Sequence, residues 1–206
     1  MPVIAVANLK GGVGKSTLAT TLAAGLSSKR TPVVLIDGDP PQNSSFYWAE
    51  VRDDPQVTAV KASKTAELER ALATEAEWHI IDCAPRVALS SRLAMLSADL
   101  VLIPSAPTAP ELWALDSLQT ETADIADELP PMYLIWNRWQ GWKREQGLAA
   151  EVADEYGMKS LKATLGNRVA YSQAFMLGKS AAELAHQEKA TAEISALIKE
   201  VKQLCR

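Results

Sequence analysis

The chain has 206 residues, 48% hydrophobic and 22% charged, with a formal net charge of −4. That suits one globular domain with a substantial core and excludes a disordered segment. No apolar run is long enough to span a bilayer, the start lacks a secretory signal, and Cys83 and Cys205 offer neither a disulfide framework nor metal-ligand spacing.

A reducing cytoplasm is therefore the expected setting. Charge is unevenly shared. Residues 1–137 carry 10 Lys and Arg against 17 Asp and Glu, whereas residues 138–206 carry 11 against 8. A basic final third suits an anionic partner surface, although so mild an excess also fits ordinary solvation.

In chain order, apolar runs predict strands at 3–7, 33–36, 57–62, 78–82, 100–104, 132–137 and 160–164. Helices are expected near 16–28, 44–51, 66–74, 88–96, 111–128, 147–156, 170–177 and 191–204. This alternation predicts a single α/β domain over 1–206: a doubly wound, mostly parallel sheet with helices on both faces. Pro130-Pro131 ends a helix and does not mark a domain boundary.

Residues 10–17 read Lys-Gly-Gly-Val-Gly-Lys-Ser-Thr, between the first expected strand and the first expected helix. That is the setting a phosphate-binding loop requires. Gly11, Gly12 and Gly14 let the backbone through Val13 curl its N–H groups toward an anion, and the helix starting near Thr17 adds positive potential. Lys15 can reach the β- and γ-phosphates, and the Ser16 hydroxyl can ligate Mg²⁺. Asp37 and Asp39 close the second strand in Asp37-Gly38-Asp39-Pro40-Pro41-Gln42, at the strand ends where such sheets bind ligands. The same residues also suit a plain polar turn. Asp82 ends the fourth strand, where its carboxylate would hold a Mg²⁺-bound water. Cys83 beside it is expected to be a buried small hydrophobe.

Asn137 ends the sixth strand, and its amide can pair with the N6/N7 edge of adenine, yet Asn is also a common turn residue. Trp136, Trp139 and Trp142 interleave with Arg138, Lys143 and Arg144, a pattern that could stack on bases, pack over a pocket or meet a partner. His79 and His186 lack metal spacing.

With its additional leading lysine, the loop resembles that of the deviant Walker A ATPases, K-G-G-x-G-K-[ST], and the likeness extends along nearly the whole chain. Asp37-Gly38-Asp39-Pro40 is similar to the family's D-x-D-P-Q, with Pro41 inserted; 98–104 resembles its A-D-x-V-L-I-P strand; Pro110-Glu111 lies where a segment joins the dimer contact. Asn167-Arg168, Gln173-Ala174 and Gly178-Lys179 resemble its C-terminal R-N…E-A…G-K region. The resemblance implies a ParA-type partition ATPase of the short form without an N-terminal helix-turn-helix domain. It would use ATP and Mg²⁺, and Lys10 would cross to the phosphates of a second subunit. Asp37 would support the Mg²⁺ shell, Asp39 would orient the attacking water, and Asn137 and Arg138 would read adenine. The ATP-bound homodimer would hold DNA non-specifically through Arg168, Lys179 and Lys189. Slow hydrolysis, stimulated by a small ParB-like or ribbon-helix-helix centromere-binding protein, would release it, and the expected location is the cytoplasm, on the nucleoid. A MinD-like membrane ATPase is the alternative, with Ile194, Leu197, Ile198, Val201 and Leu204 as its apolar stripe. A docked helix explains that stripe better, and stable membrane association is not expected.

Overall fold

The computed structural model describes residues 1–86 and 89–205, with all their side chains except those of Leu89, Ala109, Arg144 and Ala153. Its strands are β1 (Val3–Val6), β2 (Val33–Asp37), β3 (Val57–Lys61), β4 (Trp78–Asp82), β5 (Leu100–Ser105), β6 (Met132–Trp136) and β7 (Lys159–Ser160). They form one seven-stranded sheet in the order β3-β2-β4-β1-β5-β6-β7. Every pairing is parallel, as buried apolar strands joined by helices require.

The helices are α1 (Lys15–Leu26), α2 (Ser44–Arg52), α3 (Thr65–Leu72), α4 (Leu89–Leu96), α5 (Ala109–Thr122), α6 (Lys143–Glu155), α7 (Val169–Met176) and α8 (Glu188–Leu204). Strand side chains alternate between two cores. Ile4, Val6, Val33 and Leu35 join α1, α2, α7 and α8 on one face. Ala5, Ala7, Val34 and Ile36 join α3 to α6 on the other. This is the period-2 placement of a sheet covered on both sides. Because β1 lies between β4 and β5, the crossovers diverge around it, and its C-terminal end opens into the crevice where such folds bind ligands.

Several boundaries differ from the sequence expectation for local reasons. The last strand, expected over 160–164, pairs as a strand only at Lys159–Ser160. Beyond it, Glu200 of α8 accepts the N–H groups of Lys162 and Ala163, so those groups leave the ladder for a helix side chain. The single helix expected over 111–128 is α5 followed by a 3-10 turn, Ala123–Glu128. There the Thr122 hydroxyl bonds back to the Leu118 carbonyl and Arg92 binds the Glu121 carbonyl, contacts that compete with a regular helical ladder. Helix α6 starts earlier than residue 147 because Glu145 accepts the N–H groups of Gln140, Gly141 and Trp142. Ala88, the expected start of the fourth helix, lies outside the described residues.

Candidate nucleotide site

The loop between β1 and α1 turns on two left-handed glycines, Gly12 at φ 74° and Gly14 at φ 95°. Gly14 caps α1, so the helix N-terminus, with its free N–H groups and positive dipole end, opens on the loop. The cavity in front holds about 560 Å³. Gly11, Lys15, Ser16, Thr17, Asp39 and Pro85 line it, and α7 contributes Ser172, Phe175 and Met176. A slightly larger cavity of about 670 Å³ lies under the 3-10 turn, among Leu129, Met132, Tyr133 and Met158. It holds no group suited to phosphate chemistry beyond one lysine, Lys159. The chemistry belongs to the loop cavity.

Each loop lysine rests on a partner within its own chain. Lys15 is 7% exposed and donates to the Lys10 carbonyl at 2.8 Å. Burial pulls its pKa below the usual lysine value, while the Asp82 and Asp39 carboxylates pull it back up. Lys10 lies 2.9 Å from Glu111 at the start of α5, and that carboxylate is 3% exposed. The other Glu111 oxygen is buried without a partner. The resemblance placed the Pro110-Glu111 segment near the dimer contact but gave no hint of this pairing.

The three aspartates part in role. Parallel register sets Asp37 beside Asp82 at the C-terminal ends of β2 and β4. Asp37, expected in the Mg²⁺ shell, already accepts the Asp39 N–H, the Ser45 hydroxyl and the Phe46 N–H. It ties the start of α2 to the strand end. Asp82 fits a metal better. Among the described residues both its oxygens are buried without a hydrogen-bond partner, and burial pushes its pKa up to about 7, opposed by the nearby Ser16 and Ser45 hydroxyls. An orphaned buried carboxylate next to the loop serine is the donor set Mg²⁺ uses beside phosphates. Asp39 is half-buried on the cavity wall. Burial and Asp37 raise its pKa, while Lys15 and Arg86 lower it. The Pro40–Pro41 bond is cis, and Gln42 and Ser44 reach the cavity wall. Cys83 is buried, and burial pushes its thiol up to about 12, leaving it the inert small hydrophobe expected.

Asn137, expected to read adenine, lies against the phosphate loop. Its Nδ2 donates to the Val13 carbonyl at 2.8 Å, and its Oδ1 accepts the Arg138 N–H at 2.8 Å. The Arg138 guanidinium donates to the Gly12 carbonyl. One amide hydrogen and one oxygen lone pair are thereby spent on the loop and its neighbour, which leaves one of each available. Trp136 is buried with its ring 6.2 Å from that of Trp139, while Trp142 stands 61% exposed.

At the C-terminal region, Arg168 forks onto Glu193 of α8, which also accepts the Tyr171 hydroxyl and the Gly166 N–H. The pair lies at the surface of the fold, with the Arg168 side chain 32% exposed. Lys179 and Lys189 are exposed. The Lys179 carbonyl accepts the Trp48 indole N–H, and Arg52 reaches the Gly178 carbonyl and Glu183, so this turn is bound to α2. The α8 stripe is docked: Ile194, Leu197 and Val201 are buried, Ile198 is partly buried and Leu204 is 38% exposed. Among the described residues, no helix is long and apolar enough to cross a membrane.

A glycine loop at the C-terminal end of a central parallel strand, with a buried lysine and the Asp39 carboxylate lining one cavity, defines a P-loop nucleotide-binding protein. Residues 4–181 match the CobQ/CobB/MinD/ParA nucleotide binding domain, and the chain belongs to that family. It is 31% identical over 191 residues to protein ParA of Rhizobium radiobacter, covering 86% of this chain and 84% of that one. It is 29% identical over 209 residues to the maintenance of carboxysome distribution protein A of Halothiobacillus neapolitanus, covering 96% and 95%. Its fold is similar to that of a Cyanothece McdA variant in complex with ATP, with TM-score 0.73, 19% identity and 96% of each chain covered.

Proposed function

We propose that this chain is an ATP-dependent partition or positioning ATPase that dimerises on ATP, holds DNA without regard to sequence and lets go after hydrolysis. The observation that supports it most is the pair of loop lysines, each resting on an internal oxygen that an incoming triphosphate would replace. Lys15 moves from the Lys10 carbonyl to the β- and γ-phosphates of ATP. Lys10 leaves Glu111 for the phosphates of a second subunit. Ser16 and Asp82 would hold Mg²⁺, which would offset the negative charge of the phosphates. Asp39 positions a water for in-line attack, the main contribution a carboxylate makes in phosphoryl transfer. The name of the Halothiobacillus neapolitanus relative brings a carboxysome into the range of cargoes.

DNA contact falls to Lys179 and Lys189, because Arg168 is held by Glu193. Two such patches on a dimer act together, so affinity rises when ATP joins the subunits. The test is co-sedimentation with unrelated duplex DNA and, separately, with anionic liposomes, in ATP and in ADP at two salt concentrations. Pelleting with DNA in ATP alone, falling steeply with salt and lost in a Lys179→Glu/Lys189→Glu double variant, is expected. Equal pelleting in both nucleotides would refute the reading. ATP-dependent recruitment to liposomes alone would favour a MinD-like membrane ATPase.

A further inference from the structure

We infer that Asn137 and Arg138 are positioning residues that brace the phosphate loop from behind, and that this brace sets affinity for the triphosphate. In a loop whose N–H groups face an anion, the carbonyls point the opposite way. In this protein the outward carbonyls of Gly12 and Val13 accept from Arg138 and Asn137 respectively. Holding the carbonyls outward orients the same peptide units that turn their N–H groups inward at the next residues.

The fit between the two segments is close. A Cβ on Gly14 would stand 2.3 Å from the Asn137 Nδ2, so only glycine leaves room for the amide, quite apart from its φ of 95°. Arg138 itself sits at φ 55°, a left-handed conformation that a non-glycine residue holds at a cost. What holds it there is a fixed segment. The Asn137 N–H bonds to the Ser105 carbonyl, Trp139 exchanges backbone bonds with Leu165 and Asn167, and Glu145 accepts the next three N–H groups. A rigid rail, anchored away from the loop, therefore presents two donors to two loop carbonyls. Preorganisation of this kind raises affinity by removing the ordering cost from the binding step.

The inference rests on the nucleotide-binding reading, and its test separates the two. Binding of ATP, GTP and inorganic tripolyphosphate is titrated by calorimetry for the unaltered protein and for Asn137→Ala, Asn137→Asp and Arg138→Ala. Asn137→Ala and Arg138→Ala should each weaken all three ligands, tripolyphosphate included, by about tenfold or more. Asn137→Asp should be weaker still, because it sets an acceptor against the Val13 carbonyl in nearly the same volume; loss of packing alone would give the opposite order. Arg138 is exposed, so Arg138→Ala remains informative if the Asn137 variants unfold. A changed ATP to GTP ratio with tripolyphosphate unaffected would make Asn137 a base reader and overturn the brace. Unchanged affinities in Asn137→Ala and Arg138→Ala would overturn it too. No binding of any of the three by the unaltered protein would sink the nucleotide reading as well.

Discussion

At the scale of single residues, the decisive contact is the one between Lys10 and Glu111. A lysine meant for another subunit must first leave its own chain, and here it leaves a carboxylate that is 3% exposed. Separating them strands a buried charge, which is costly unless a new cation or a proton replaces the lysine. With Lys10 in its proposed cross-subunit role, the contact would oppose dimerisation until ATP supplies phosphates on the far side. Glu111→Gln removes the charge and keeps the shape. It should leave ATP binding by the monomer unaltered and bring the midpoint of ATP-dependent dimerisation to about tenfold lower protein concentration, read by light scattering. Lys10→Ala should bind ATP and stay monomeric. A Glu111→Gln protein that dimerises no more readily than the unaltered one would show that the contact is no brake.

At the scale of elements, what could be read ahead depended on whether the signal was local. The strand–loop–helix order around Lys15, the strand ends at Asp37 and Asp82 and the docked stripe of α8 each follow from short-range pattern, and each stands in the structure. The surroundings of Asn137, Arg168 and Asp37 did not follow so directly. Each meets a partner far along the chain or across a turn: Val13, Glu193 and the start of α2. Nothing in the residues near Arg168 announces that a glutamate 25 positions later will hold it. The α7 wall of the cavity is non-local in the same way, since Ser172 and Phe175 carry no motif that points at a phosphate.

Strand β4 carries an element-scale prediction of its own. His79 is 1% exposed, one ring nitrogen meets the Thr74 carbonyl at 2.9 Å and the other is buried without a partner. Burial lowers its pKa from the ordinary 6.5, the N-terminal charge adds to this, and the Thr74 and Ala71 carbonyls oppose it. The unfolded chain takes up the proton near pH 6.5, whereas the fold resists until lower pH. Stability from a neutral His79 is thus present above that pH and is lost as pH falls through the window below it. Urea unfolding at pH 7.5, 6.5 and 5.5 should show a falling midpoint that His79→Gln flattens. A midpoint with the same pH slope in both proteins would contradict it.

At the scale of the whole molecule, one sheet supports both the nucleotide site and the lysines proposed to meet DNA. The C-terminal ends of β1, β2 and β4 gather Lys15, Asp39 and Asp82, while α7 reaches the same cavity through Phe175 and Met176. The Gly178–Lys179 turn follows α7 directly and is bonded to α2, whose first turn is tied to Asp37. Nucleotide and the basic lysines are thereby joined through contiguous packed elements, which is the physical basis for expecting DNA binding to follow nucleotide state. The measurement that tests this most directly is molar mass by light scattering with Mg²⁺ and ATP, with Mg²⁺ and ADP, and with neither, using Asp39→Ala alongside the unaltered protein. The expected result is a monomer without nucleotide and with ADP, a dimer with ATP, and an Asp39→Ala dimer that persists after the unaltered dimer has decayed. A chain that stays monomeric in ATP, or that dimerises equally in ATP and ADP, would contradict the account.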